Sequence, residues 1–251
     1  MYLEFLNLSS FLSLSVILSG SIIHAKNNKV IPPPPARFTP LEVGGPGKEE
    51  ACDYAKNRLE VFASEDISKL QNGTVFLGDS ITERYELENY YPSMKIINRG
   101  IGGDTMGARI PYGVYDRLSS TVYNLNPNKL ILMIGGNDLI WIKSDSLELK
   151  LEQYAYLVWT LKTNLPETEF YLVSTLPAKG EYAFANEEMV RFNQNIEKTA
   201  EIYGAAYINA APSFKNEKGE LRADLALDDI HLKPAGYDLL TKVYMKEIFQ
   251  R

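Results

Sequence analysis

The chain has 251 residues, 45% hydrophobic and 23% charged, with a formal net charge of -6. That composition supports one substantial soluble core, and an acidic balance without clustered Lys and Arg argues against nucleic acid as a partner. The single cysteine, Cys52, excludes an intrachain disulfide framework and a cysteine-based metal site.

Residues 11–23 form an apolar stretch too short for a membrane span and of the right length for a signal-peptide core, with Ala25 before the cut. We therefore expect a leader over residues 1–25, a secreted or periplasmic protein, and no stable membrane span after cleavage. Glu4, and the lack of Lys or Arg before the core, depart from that pattern. An uncleaved anchor and a cytoplasmic location stay open as alternatives. Four prolines at 32–35 and the run Gly44-Gly45-Pro46-Gly47 make residues 26–47 an extended linker or arm. The remaining residues, 48–251, form one domain.

Residues 48–70 carry a helical pattern through Tyr54, Leu59, Phe62, Ile67 and Leu70. The turn pair Asn72-Gly73 then opens a buried strand, Thr74-Val75-Phe76-Leu77. Further strands are expected at 95–98, 129–134, 169–174 and 206–208. The third is apolar on both faces, so it is central. Helices are expected at 104–120, 146–164, 187–203 and 234–250. In the second of these, Leu147, Leu151, Tyr154, Leu157, Val158, Leu161 and Leu165 make one apolar stripe. Alternating strands and helices imply βαβ units and a mainly parallel sheet covered on both faces. Sites in such sheets lie outside the carboxyl ends of the strands.

The polar motifs fall at those ends. Ser80 follows the first strand. Residues 98–105, with Gly102-Gly103-Asp104-Thr105, follow the second. Gly135-Gly136-Asn137-Asp138 follows the third. Asp228-Asp229-Ile230-His231 precedes the last helix, where Pro234 fits the first turn. Acyl transfer needs a nucleophile, a base, a group to orient the base, and donors for the oxyanion. Ser80 supplies a hydroxyl at a helix start and His231 an imidazole. With His24 inside the expected leader, His231 is the one candidate base in the mature chain. Asp228 is placed to hold the ring. The N–H groups of Ser80 and Gly103 and the side-chain amide of Asn137 are the candidate oxyanion donors.

Each residue alone has a plainer reading. Ser80 can be a helix cap, Asn137 a turn residue, and His231 with Asp228 a surface pair. Asp79 reads as a turn and cap residue. Gly102-Gly103 is an incomplete dinucleotide loop, because Thr105 stands where its last glycine belongs. Tyr112, Tyr115, Trp141 and Phe184 read either as groove lining or as packing.

Four blocks, Gly-Asp-Ser-Ile-Thr at 78–82, Gly-Gly-Asp-Thr at 102–105, Gly-Gly-Asn-Asp at 135–138 and Asp-x-x-His at 228–231, resemble those of the GDSL, or SGNH, hydrolases. The resemblance spans roughly residues 72–250. It implies a flavodoxin-like three-layer α/β/α sandwich on a mainly parallel five-stranded sheet. It also implies an esterase or lipase with no metal and no organic cofactor. By position it makes Ser80 the nucleophile, Asp228 and His231 the rest of the triad, and Ser80, Gly103 and Asn137 the oxyanion hole. Blocks two and three look closest to the platelet-activating-factor acetylhydrolase-like and bacterial carbohydrate-esterase branches. That favours a short acyl group on a small-molecule, glycan or lipid ester. A lysophospholipase or thioesterase of the same family, and a non-catalytic binding module for acylated glycans, are the alternatives. The sequence departs from the pattern at Asp229, where glycine is frequent, and in a longer connection at 109–115.

Overall fold

The computed structural model describes residues 23–24, 30–31, 34, 48–107 and 113–250. The leader expected over 1–25 and the arm expected over 26–47 lie outside the described residues, apart from Ile23–His24, Val30–Ile31 and Pro34; those two short strands pair antiparallel.

Five strands build the central sheet: β1 (Thr74–Gly78), β2 (Ile96–Gly100), β3 (Lys129–Met133), β4 (Glu169–Val173) and β5 (Ala206–Ile208). All pairings are parallel, in the order β2-β1-β3-β4-β5. Seven helices frame the site: α1 (Lys48–Ser64), α2 (Ser80–Glu83), α3 (Val114–Thr121), α4 (Gly136–Trp141), α5 (Leu147–Asn164), α6 (Asn186–Tyr203) and α7 (Pro234–Tyr244).

Strand side chains alternate between the two faces, and both faces are buried. Val75, Leu77, Leu130 and Leu132 pack with residues of α3, α5 and α6. Phe76, Ile131, Met133, Tyr171 and Val173 pack on the other side with Tyr237, Leu240 and Tyr244 of α7. A smaller cluster of Ala55, Phe62 and Ile101 seats α1 beside the end of β2.

The helix expected over 104–120 is shorter. It begins at Val114, after Gly113, and residues 104–107 are irregular chain with a bend at 106–107 instead. Pro111 disfavours helix in the residue before it, which suits a late start. The window at 48–70 splits at Asp66, whose carboxylate accepts the Ser68 N–H and starts a separate short turn. The last helix changes to a π-turn over Met245–Phe249.

The sheet's strand order reverses direction between β1 and β3. That switch point opens a crevice at the carboxyl edge, where open parallel sheets place their ligands.

Candidate active site

Ser80 is the first residue of α2, directly after β1. Asp79 is the N-cap, and its carboxylate accepts the Ile81 N–H at 3.0 Å. The cap role read from the sequence therefore belongs to Asp79 and not to Ser80. As a first-turn residue, Ser80 has an N–H without an intrahelical acceptor, at the positive end of a short helix.

His231 comes from a loop 151 residues further on, and its Nε2 lies 2.9 Å from Ser80 Oγ. Its Nδ1 lies 2.7 Å from Asp228 Oδ2. Asp228 Oδ1 also accepts the N–H groups of Ile230 and His231, at 2.9 and 2.7 Å. Partial burial pushes the Asp228 carboxyl up. The Ile230 N–H, the His231 ring and the His231 N–H outweigh this and hold it at about 2. An ionised Asp228 fixes the ring so that Nε2 faces the serine. The Tyr237 hydroxyl of α7 donates to Ile81 O at 3.0 Å, which ties the segment after His231 to the helix that carries Ser80.

Asn137 lies on α4, where Gly135, at φ +114°, turns the chain out of β3. A Cβ at Gly135 would strike the Phe192 ring. The Asn137 side chain is held from two sides. Its Nδ2 donates to Asp104 O at 2.8 Å, and its Oδ1 accepts Trp141 Nε1–H at 3.2 Å. One Nδ2 hydrogen is left for another acceptor. Gly103 occupies the third position of a turn in which Asp104 N–H donates to Ile101 O at 3.1 Å. Its φ of +76° is what a type II turn requires there. Among the described residues, no hydrogen bond engages the Gly103 N–H.

Ser80, His231 and Asn137 border one pocket of about 40 Å³ at the switch point. Its apolar wall includes Ile134, Ile140, Leu176, Pro177, Ala178 and Met189. Gly103 is not part of this wall; it stands next to Asp104, whose carbonyl Asn137 grips. The structure thus joins Ser80, Asp228, His231 and Asn137 directly, and Gly103 through its neighbour. The segment 175–178 has no motif to mark it, although it follows the end of β4. Of the aromatic candidates, Trp141 and Phe184 are exposed, Tyr115 packs on Tyr156, and Tyr112 lies outside the described residues.

Asp229 turns away from the line of Ser80, His231 and Asp228. It pairs with Lys179 Nζ at 2.8 Å and accepts the Glu181 N–H at 3.1 Å. The extra carboxylate is therefore a clip between the His231 loop and the segment after the pocket wall.

Behind the serine lie three buried carboxyls, Asp79, Asp104 and Asp138, with Asp104 within electrostatic reach of the other two. Burial pushes Asp138 up to about 7, against the single Met106 N–H, which is shared between Oδ1 and Oδ2 at 3.2 and 3.1 Å. The folded protein then holds a proton that the unfolded chain releases near pH 4. This group's stabilising share is complete below that pH and is lost as pH rises through about 7. Asp138→Asn should therefore gain stability relative to the parent, on the order of 1–2 kcal/mol, between pH 5 and pH 8. Urea denaturation at both pH values measures it. An equal difference at the two would show that Asp138 is ionised throughout.

Residues 76–239 match the GDSL-like Lipase/Acylhydrolase family. The chain belongs to that family. A curated relative of this GDSL-family chain is an acetylxylan esterase from Geobacillus stearothermophilus. It is 25% identical over 174 residues, 64% of this chain and 76% of the relative. Among solved structures, a GDSL-like lipase from Bacteroides thetaiotaomicron superposes with a TM-score of 0.65 at 21% identity, over 80% of this chain and 98% of that one. A catalytic mutant of an acetylxylan esterase from Geobacillus stearothermophilus, with serine changed to alanine, superposes at 0.56 and 22% identity, over 71% and 94%. A second catalytic mutant of that esterase changes a histidine to alanine. The GDSL-family chain is an ester-bond hydrolase. No helix among its described residues is long and apolar enough to cross a membrane.

Proposed function

We propose that this hydrolase is a serine esterase for short acyl groups, chiefly acetyl, carried on a carbohydrate or lipid alcohol. The observation that carries the reading is the line Ser80 Oγ, His231, Asp228, with separations of 2.9 and 2.7 Å, opening on a pocket of about 40 Å³. Ser80 Oγ attacks the ester carbonyl carbon as His231 Nε2 takes its proton. The carbonyl oxygen becomes an anion, held by the N–H groups of Ser80 and Gly103 and by Asn137 Nδ2. Collapse breaks the bond to the alcohol, which leaves with the proton from His231. Water then attacks the acyl-serine by the same proton route and releases the acid. The Geobacillus esterase described above has catalytic mutants at a serine and at a histidine, the residue types proposed here.

The pocket of about 40 Å³, walled in part by Ile134, Ile140, Leu176, Ala178 and Met189, suits a short acyl group such as acetyl. Beside it, Trp141 is 40% and Phe184 57% exposed, Tyr182 meets the Trp141 ring at 5.0 Å, and Lys143 covers one face of Phe184. These flat faces suit a sugar ring as the alcohol. Residues 1–25 are proposed as an export leader, which places the enzyme outside the cytoplasm.

The test is a series of p-nitrophenyl acetate, butyrate and octanoate beside acetylated xylooligosaccharides and a lysophospholipid. We expect kcat/KM to fall roughly tenfold or more from acetate to octanoate. Octanoate or lysophospholipid as the best substrate would overturn the assignment and favour a lysophospholipase.

A further inference from the structure

The turn that carries Gly103 is held by a carboxylate that belongs to no motif. Glu83 is the last residue of α2, the short helix that Ser80 begins. Glu83 Oε2 accepts the Gly102 N–H. Ile101 N–H donates to Gly78 O at 3.2 Å, and Asp104 N–H closes the turn onto Ile101 O. Three of the four amides in this turn are therefore committed. The fourth, Gly103 N–H, is the one that the proposed mechanism needs free. Its direction is set by its neighbours, and Glu83 sets the neighbour at 102.

Glu83 is itself fixed from α1. Tyr54 Oη–H donates to Glu83 Oε1 at 2.5 Å. Arg58 Nε lies 3.0 Å from the same oxygen, off the hydrogen-bonding direction. Arg58 Nη2 reaches Gly100 O at 3.5 Å. The helix is seated independently of Glu83. Phe62 packs on Ile101 and Ala55, and Arg99 lies over the Phe62 ring at 4.5 Å while paired with Glu65. Yet α1, at 48–64, precedes the residues that match the family, 76–239.

We infer that Glu83 is a positioning residue for the anion-binding turn, and that Tyr54 and Arg58 orient its carboxylate, so that a helix outside the family-matched residues completes the catalytic apparatus. The inference rests on the esterase reading above. One carboxylate serves both sides: Oε1 takes the α1 donors and Oε2 takes the turn. A carboxamide has one acceptor oxygen and can serve only one of them. Loss of Glu83 releases the Gly102 N–H while Arg117 and Asn137 still hold Asp104, so the Gly102–Gly103 segment can rotate and Gly103 N–H points at the oxyanion for only part of the time. Substrate binding, made in the pocket and on the aromatic rim, is untouched.

The experiment compares Glu83→Ala, Glu83→Gln and Tyr54→Phe in the full chain. Two readouts are used: amide hydrogen exchange over 100–107, and kcat and KM on p-nitrophenyl acetate beside the Kd of a boronic acid that forms a tetrahedral anion on Ser80. Glu83→Ala should exchange faster at 100–107, lose about 100-fold in kcat and in boronate affinity, and keep KM within about twofold. Glu83→Gln should fall between Glu83→Ala and the parent. Tyr54 is 46% exposed, so Tyr54→Phe tests the idea even where Glu83→Ala fails to fold; about threefold in kcat is expected. A purely structural role would lower the melting temperature and leave kcat and boronate affinity of the folded protein unchanged, which overturns the inference. Unchanged exchange at 100–107 overturns it as well. A parent enzyme that neither hydrolyses the ester nor labels at Ser80 with a fluorophosphonate defeats the esterase reading instead, and exchange still judges the brace.

Discussion

Ser80→Ala is expected to lower kcat for acetyl esters by about 10⁴- to 10⁶-fold while leaving the protein folded. The size follows from the chemistry. Without Oγ there is no acyl-enzyme, and His231 Nε2 has only water to activate. Pocket, turn and amide donors all remain, which accounts for a residual rate. The fold should survive because Ser80 is not the cap of α2; Asp79 takes the Ile81 N–H. The lost hydrogen bond to His231 lies at the pocket mouth, where water replaces it at a cost of about 1 kcal/mol or less. The checks are kcat on p-nitrophenyl acetate, fluorophosphonate labelling and thermal melting. A variant that turns over like its parent would remove Ser80 from the mechanism.

Arg117→Met is expected to destabilise the protein by about 3–5 kcal/mol. Arg117 and Asp104 are paired in the interior, their side chains 1% and 4% exposed. Nε and Nη2 both donate to Asp104 Oδ2, at 2.9 and 2.7 Å. Nη2 also reaches Gly78 O and Arg99 O, at 3.3 and 2.9 Å. One guanidinium therefore ties together the ends of β1 and β2 and the turn between 101 and 104. The pair is not inherently favourable: burial pushes the Asp104 carboxyl up to about 7 even with Arg117 beside it. Buried Nη1 has no hydrogen-bond partner among the described residues. Such a pair contributes little over an apolar replacement, but removing one member strands the other. Asp104 would then be left in the core without its cation, and two strand-end carbonyls without a donor. Urea denaturation near pH 7 measures the loss. A change under about 1 kcal/mol would mean that water reaches Asp104 and the site is not dry.

Much of the architecture could be read from local pattern. Thr74-Val75-Phe76-Leu77 and the run at 129–134 are apolar on both faces, and only a covered parallel sheet accommodates that. Once strands alternate with helices, the strand-end rule gathers Ser80, Asn137 and His231 without coordinates. What stayed hidden depends on long separations or on neutral-looking residues. Glu83 resembles any acid at a helix end; its partners Tyr54 and Gly102 stand 29 and 19 residues away. Arg117 and Asp104 are 13 residues apart and Asp104 lies outside the helix that carries Arg117, so no single helical or strand period relates them. The helix at 136–141 is six residues long, and its Gly-Gly start reads as a turn. The pocket wall at 175–178 is made of ordinary residues, and only the position of β4 identifies it. Asp229 stood out as an additional acid beside the triad, but its direction depended on Lys179, fifty residues away.

The 151-residue gap between Ser80 and His231 also bears on biosynthesis. During translation the hydroxyl emerges from the ribosome long before the imidazole, and α7, whose Tyr237 fastens the two segments, emerges after both. A chain interrupted anywhere between the two would carry the proposed nucleophile without its base.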